Sequence, residues 1–308
     1  MSSPVCTAVS PGYEYFPGCV MKGFGAASGE SVLTVFRLLH LPLEELPDWN
    51  CCGATTYMSI DEDSAFILAA RNLSLARQAG SRDLVAPCAA CYLVLRKLQE
   101  CMRQYPAVRE RVDESLERAG LPPVGPIHVR HPLEVLYQDV GVEKIRTNVV
   151  RRWSGGVVAC YYGCQAVRPY AEVDNPYNPT RMDELLQAVG VPVVDFSLKT
   201  KCCGGSLTGT IHSVGVRLNY ILLKEAARKG AQAIATICPL CQFNLDSYQA
   251  EMRRETGESL DIPVFYFTQL LGWALGGDFR ELGLHRAISG RKLLQQWFSV
   301  PKKVQAYV

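Results

Sequence analysis

Asp83-Leu84-Val85-Ala86-Pro87-Cys88-Ala89-Ala90-Cys91-Tyr92 is an apolar run that ends in a CxxC pair. Ala233-Ile234-Ala235-Thr236-Ile237-Cys238-Pro239-Leu240-Cys241-Gln242-Phe243 repeats it, with the first cysteines 150 positions apart. Each run reads as a buried strand that delivers a cysteine at its end. Helical patterns flank both. Asp61 is placed to cap a helix through Ala65, Phe66, Ala69, Leu73 and Ala76, with Gly80 as its stop, and another helix runs from about Cys91 to Tyr105. In the second half, Ser213 to Lys229 is helical up to Gly230, and Gln242 to Thr256 follows the strand. Strands alternating with helices predict an α/β fold of two duplicated domains. Each is expected to be a small, mostly parallel sheet with flanking helices, the two related by a pseudo-twofold, over residues 11–145 and 146–308.

The duplication extends to every cysteine of a five-membered pattern. Ten of the thirteen cysteines belong to it: Cys19, Cys51, Cys52, Cys88 and Cys91, then Cys164, Cys202, Cys203, Cys238 and Cys241. Each adjacent pair is followed by glycine, Gly53 and Gly204. Tyr13-Glu14-Tyr15-Phe16-Pro17-Gly18-Cys19 parallels Val158-Ala159-Cys160-Tyr161-Tyr162-Gly163-Cys164. Ile127-His128-Val129-Arg130-His131-Pro132 parallels Ile262-Pro263-Val264-Phe265-Tyr266-Phe267. A repeat this long is a duplicated domain and not a solenoid unit. Five thiolates exceed what one tetrahedral metal ion uses. They suit an iron–sulfur cluster with more ligands than an ordinary cubane, and the ferredoxin run C-x2-C-x2-C-x3-C-P is absent. Zinc is the competing metal, with four of the five thiolates of one half as its ligands. In parallel α/β units, sites lie beyond the carboxyl ends of the strands, so the thiols of each half are expected at one sheet edge, near helix N-termini.

Composition narrows the function class. A net charge of +2 with no basic block argues against a nucleic-acid partner. Residues 1–12 lack the charged and apolar regions of a signal peptide, and the apolar stretch 264–277 is too short to cross a bilayer. Cysteine-rich chains without an export signal belong in a reducing compartment, so the expected location is cytoplasmic. Residues 106–126 read as a charged surface insertion and 141–156 as the interdomain linker. Leu293, Leu294, Trp297 and Phe298 give the C-terminal tail an apolar face for docking on the body.

The remaining candidates carry weaker signals. Cys6 lies in an N-terminal segment, and Cys101 shares a helical face with Val94, Leu98 and Tyr105. Cys160 aligns with Tyr15 in a buried strand, so Cys101 and Cys160 both read as core residues, with an accessory role beside Cys164 as the alternative for Cys160. Gly23-Phe24-Gly25-Ala26-Ala27-Ser28 lacks the third glycine of a dinucleotide fingerprint and reads as a flexible turn. His212 is the one candidate proton donor, with helix capping or solvent exposure as the plainer reading. Lys199, Lys201 and Arg168 surround the second-half cysteines as charge-balancing or solvated groups.

With these motifs in place, the chain resembles the two CCG domains of the heterodisulfide reductase B subunit over nearly its whole length. The resemblance implies two noncubane [4Fe-4S] clusters. By motif, Cys19, Cys51, Cys52, Cys88 and Cys91 would hold the first, and Cys164, Cys202, Cys203, Cys238 and Cys241 the second. It implies a disulfide cleaved or formed between the clusters, a ferredoxin-like C subunit and a flavin-containing A subunit. In methanogen members a histidine follows the cysteine corresponding to Cys164; here it is Gln165. The run Asp48 to Thr55 looks closer to the heterodisulfide-reductase-like complexes of sulfur oxidisers, which implies a lipoate-binding protein as carrier. CCG domains also occur in relay or anchor subunits of succinate, glycolate and lactate dehydrogenases, which pass electrons to quinone.

Overall fold

The computed structural model describes residues 12–54, 57–258 and 260–298. Its first sheet contains β1 (Tyr13–Tyr15), β2 (Leu43–Glu45), β3 (Asp83–Val85) and β4 (His128–Arg130). The second contains β5 (Val158–Tyr161), β6 (Val193–Val194), β7 (Ala233–Thr236) and β8 (Val264–Tyr266). The strand orders are β2-β1-β3-β4 and β6-β5-β7-β8, and every pairing is parallel. This is the duplicated α/β architecture that the repeat predicts. The central strands are buried on both faces, as parallel strands covered by helices must be, whereas β2 is an exposed edge.

The strand order locates the sites. The chain leaves β1 toward one edge of its sheet and returns at β3 on the other side of β1. Loops after β1 and β3 therefore diverge at a topological switch point, and a crevice opens between them. Cys19 follows β1 and Cys88 follows β3; Cys164 follows β5 and Cys238 follows β7. Helix Glu62–Gln78 begins at Asp61, whose carboxylate accepts the Ser64 backbone N–H at 3.0 Å. It ends before Gly80, which has φ +81°.

Two expectations need correction, on 242–256 and on Cys101, and two segments gain detail. The charged segment 106–126 contains helix Pro106–Arg118, with proline at its first position and Val112 and Leu116 buried. The 141–156 stretch contains helix Val142–Thr147, anchored by the fully buried Ile145. The predicted helix 242–256 is two helices, Pro239–Ser247 and Gln249–Thr256. The Gln249 amide donates to the Ile262 carbonyl and accepts the Ile262 N–H, at 2.8 and 2.9 Å, and the break turns Gln249 toward that backbone. Cys101 lies at the edge of the core and not within it, because its neighbour Tyr105 is exposed. Cys160, by contrast, is fully buried in β5. Cys6 lies outside the described residues.

The C-terminal tail docks on the second half. Phe298 packs edge-on against Trp273, Phe265 and Trp153, with ring centroids 5.1–5.9 Å apart, and Leu294 and Trp297 are buried. The two halves are also closely joined. Helix Ala26–Leu38 of the first packs on helix Phe267–Ala274 of the second, where Ser31 and Thr268 share a hydrogen bond of 2.6 Å. Arg37 pairs with Glu281 and Arg286 with Glu30 across the same interface.

Candidate metal centre

Each set of five cysteines has a buried floor and an open rim. Cys52, Cys88 and Cys91 are buried in the first, Cys203, Cys238 and Cys241 in the second. Cys19 and Cys202 are exposed, and Cys51 and Cys164 are half-buried. The floor comes from the strand–helix junctions. Cys88 and Cys238 are the residues just before helices Ala89–Gln104 and Pro239–Ser247, and Cys91 and Cys241 lie in the first turns. Free N–H groups at those helix starts favour thiolate or anionic sulfur.

Two repeated glycines hold this geometry. Gly18 and Gly163 precede the first cysteine of each set, at φ +63° and +70°. A Cβ on either would lie 3.0 Å from Cys91 Sγ or Cys241 Sγ, so the backbone itself presses on the floor sulfur. Gly53 and Gly204 follow the adjacent pairs at φ +81° and +90°. A Cβ there would meet the Ala65 carbonyl oxygen at 2.8 Å or Gly215 Cα at 3.0 Å. The glycine after each Cys-Cys pair is thus required twice, by its left-handed backbone and by the helix packed against it.

One pair of sulfurs touches in each half. Cys52 and Cys91 Sγ are 3.1 Å apart, Cys203 and Cys241 Sγ 3.5 Å, too long for disulfides. The neighbouring Cys51 and Cys91 thiols pull the Cys52 thiol well below its ordinary value, while Cys51 and Cys91 are pushed up. Cys91 likewise lowers Cys88. In the second set, Cys202 is lowered by Cys164, and Cys203 falls to about 7 through Cys241. Gly204 N–H donates to Cys202 Sγ at 3.3 Å, and Asn244 Nδ2 to Cys203 Sγ at 3.6 Å. In their present positions no three His, Cys, Asp or Glu side chains among the described residues enclose a single metal ion.

The weaker candidates resolve differently. The His212 imidazole is held at the surface, with Nδ1 2.8 Å from the Thr208 carbonyl and Nε2 2.7 Å from Glu251. Both nitrogens are engaged, and these partners hold it above its ordinary value. Lys199 is buried and donates to the Pro179 carbonyl and Asp183, so it braces the fold. Arg168 donates to the Thr200 carbonyl and helps to lower Cys202, while Lys201 is exposed. The turn at Gly23–Gly25 is an interface element: a Cβ on Gly25 would lie 3.1 Å from Pro239 Cβ, and the Phe24 and Phe243 ring centroids are 5.0 Å apart.

Two residues escaped the sequence reading although the repeat aligns them. His131 follows β4 and Tyr266 ends β8. His131 Nδ1 accepts the Leu133 N–H at 3.1 Å, so the proton sits on Nε2. Nε2 then donates to the carbonyls of Pro87 and Ile237, at 3.2 and 3.3 Å. These residues immediately precede Cys88 and Cys238, so one imidazole ties the two strand–CxxC junctions together. Burial pushes it down to about 4. Tyr266 is buried, and its hydroxyl has no hydrogen-bond partner.

Comparison with known proteins agrees with this duplication. The cysteine-rich domain model CCG matches residues 13–96 and 158–246. The chain is 30% identical over 284 residues to the 8-methylmenaquinol:fumarate reductase membrane anchor subunit of Wolinella succinogenes, covering 91% of this chain and 98% of that protein. It is 30% identical over 277 residues to a protein of Archaeoglobus profundus described as like the heterodisulfide reductase B subunit, covering 86% and 91%. The B subunit of a ferredoxin:CoB-CoM heterodisulfide reductase of Methanosarcina mazei matches at 27% over 276 residues, covering 88% and 91%. A crystal structure of a hypothetical protein from Helicobacter pylori shares the fold, with TM-score 0.70 and 14% identity over 90% of this chain; the chain spans about half of that protein, 51%. With the motif matched in both halves, the chain belongs to the cysteine-rich CCG domain family.

Proposed function

We propose that the chain is the iron–sulfur subunit of a heterodisulfide-reductase-like complex and that it cleaves or forms a disulfide between its two cysteine sets. One observation supports this reading: the His131 imidazole hydrogen-bonds the residue before the CxxC of both halves, so the two CxxC segments approach one point. Cys19, Cys51, Cys52, Cys88 and Cys91 would hold one noncubane [4Fe-4S] cluster, and Cys164, Cys202, Cys203, Cys238 and Cys241 the other. The donor set fits: all ten are free cysteines, and six form water-poor floors. Five thiolates in each half are one more than a single tetrahedral zinc ion uses, which favours a multi-iron group.

Disulfide reduction consumes two electrons and two protons and yields two thiols. Iron–sulfur groups supply electrons one at a time, so one in each half would match the two-electron need. The residues of this chain keep water from the buried sulfurs and leave Cys19 and Cys202 at the open rim. A C subunit of ferredoxin type and a flavin-containing A subunit would bring the electrons, and a lipoate-binding protein is a candidate carrier. The relatives from Archaeoglobus and Methanosarcina support such an assembly. The proposed compartment is the cytoplasm; no helix among the described residues is long and apolar enough to cross a membrane.

The Wolinella relative favours a second reading, an anchor-type subunit that passes electrons to or from a quinone. Turnover separates the two. The complex purified anaerobically should bind iron and acid-labile sulfide in near-equal amounts and reduce a disulfide or lipoamide substrate. Quinol-dependent turnover without disulfide activity would establish the anchor reading, and stoichiometric zinc without sulfide would overturn both.

A further inference from the structure

His131 and Tyr266 occupy the same place in the repeat, each at the carboxyl end of the last strand of its sheet. Both are almost completely buried, at 1% and 2% exposure. The imidazole spends its one N–H on the Pro87 and Ile237 carbonyls. The phenol spends its O–H on nothing: the Tyr266 hydroxyl is buried without a hydrogen-bond partner. Nor can water fill that role nearby. The void lined by Ser28, Pro87, His131, Ile237, Tyr266 and Thr268 is too narrow to hold a water molecule.

A buried, unpaired donor is costly, and a native fold that retains one calls for a reason such as an absent ion or group. The surroundings supply the reason. Tyr266 pairs in register with Thr236, two residues before Cys238. The void that it lines also touches Pro87, the residue before Cys88. Burial holds the phenol protonated, and the void that it lines reaches both Pro87 and Ile237, the residues before Cys88 and Cys238.

We propose that the Tyr266 hydroxyl is a hydrogen-bond donor shared by the two cysteine sites, made to meet sulfur when both are filled. The inference rests on the reading that these cysteines hold iron–sulfur groups. Hydrogen bonds to cluster sulfur stabilise the reduced, more negative state and raise the potential. One donor between two sites would thus tune both at once. Tyr92 is the internal control: its hydroxyl is also buried without a hydrogen-bond partner, but it follows Cys91 in the CxxC helix of the first half.

The test uses the full chain, loaded anaerobically with ferrous iron and sulfide, as wild type, Tyr266→Phe and Tyr92→Phe. Iron and sulfide content, electron paramagnetic resonance and potentiometric titration are read for each. Tyr266→Phe should load as wild type does, while the potentials of both sites move negative; Tyr92→Phe should leave the second site's potential unmoved. Without iron, Tyr266→Phe should melt no lower than wild type, because it deletes an orphaned atom. Unmoved potentials, movement of one site alone, or an equal shift in Tyr92→Phe would overturn the shared donor while leaving the cluster reading intact. A marked loss of stability in iron-free Tyr266→Phe would also overturn it, by making the hydroxyl a structural group. Failure of the wild type to take up iron and sulfide would overturn the cluster reading and this inference together.

Discussion

In the first site, Cys52 lies 3.1 Å from Cys91, and the buried Val94 stands three residues further along the same helix. In the second, Cys203 and Cys241 are 3.5 Å apart, and the corresponding position is Asn244. Its amide reaches Cys203 Sγ and the Gly205 carbonyl, at 3.6 and 2.9 Å. Arg168 adds a positive charge that acts on Cys202; its counterpart four residues after Cys19 is Gly23. The glycines show no such divergence. Gly18 and Gly163, and Gly53 and Gly204, take the same left-handed backbone in both halves. Duplication has therefore kept what backbone geometry demands and let the electrostatic setting of the two sites drift apart.

The strongest way to break the comparison is to remove one site at a time. Cys52→Ser and Cys203→Ser should each lose the iron of their own half and leave the other half detectable by electron paramagnetic resonance. If both sites serve one disulfide, either variant should abolish disulfide turnover. Substantial activity in either one would instead favour a linear relay.

The His131–Tyr266 pair gives a pH test. His131 is depressed to about 4 from 6.5, so the unfolded chain takes up the proton first. Its stabilisation is complete above about pH 6.5, declines as the pH falls toward about 4, and is flat below. A depression of this size corresponds to a loss on the order of 3 kcal/mol at this fully buried group. His131→Gln does not titrate, so its melting temperature should lack this component; an unchanged acid profile in the variant would refute the assignment.

Asn244→Val copies the first half into the second. With one hydrogen bond to sulfur removed, the second site's potential should fall toward that of the first, as read by potentiometric titration. Equal potentials in the wild type would mean that Asn244 and Arg168 do not distinguish the sites.

The smallest effects belong to the cysteines outside the pattern. Cys160→Ala should cost about 1 kcal/mol, since its sulfur is fully buried in β5, while Cys101→Ala, at the core's edge, should cost less than about 0.5 kcal/mol. Neither should change iron content, which elemental analysis would check.

The sequence alone determined the duplication, the parallel α/β class and the ten cysteines, because their signals are local. A strand followed by CxxC, or a glycine after an adjacent pair, can be read within a dozen residues. It passed over the helix at Pro106–Arg118, whose charged surface hid the buried Val112 and Leu116, and it ran 242–256 together because the break is made by contacts with the distant Ile262. Only the tertiary structure decided that the residues before Cys88 and Cys238 meet at one imidazole, His131, and that Tyr266 is buried with its donor unspent. The physical reason is distance along the chain. The Ile237 carbonyl is 106 residues from His131, and no local pattern records a hydrogen bond between two segments so far apart in sequence.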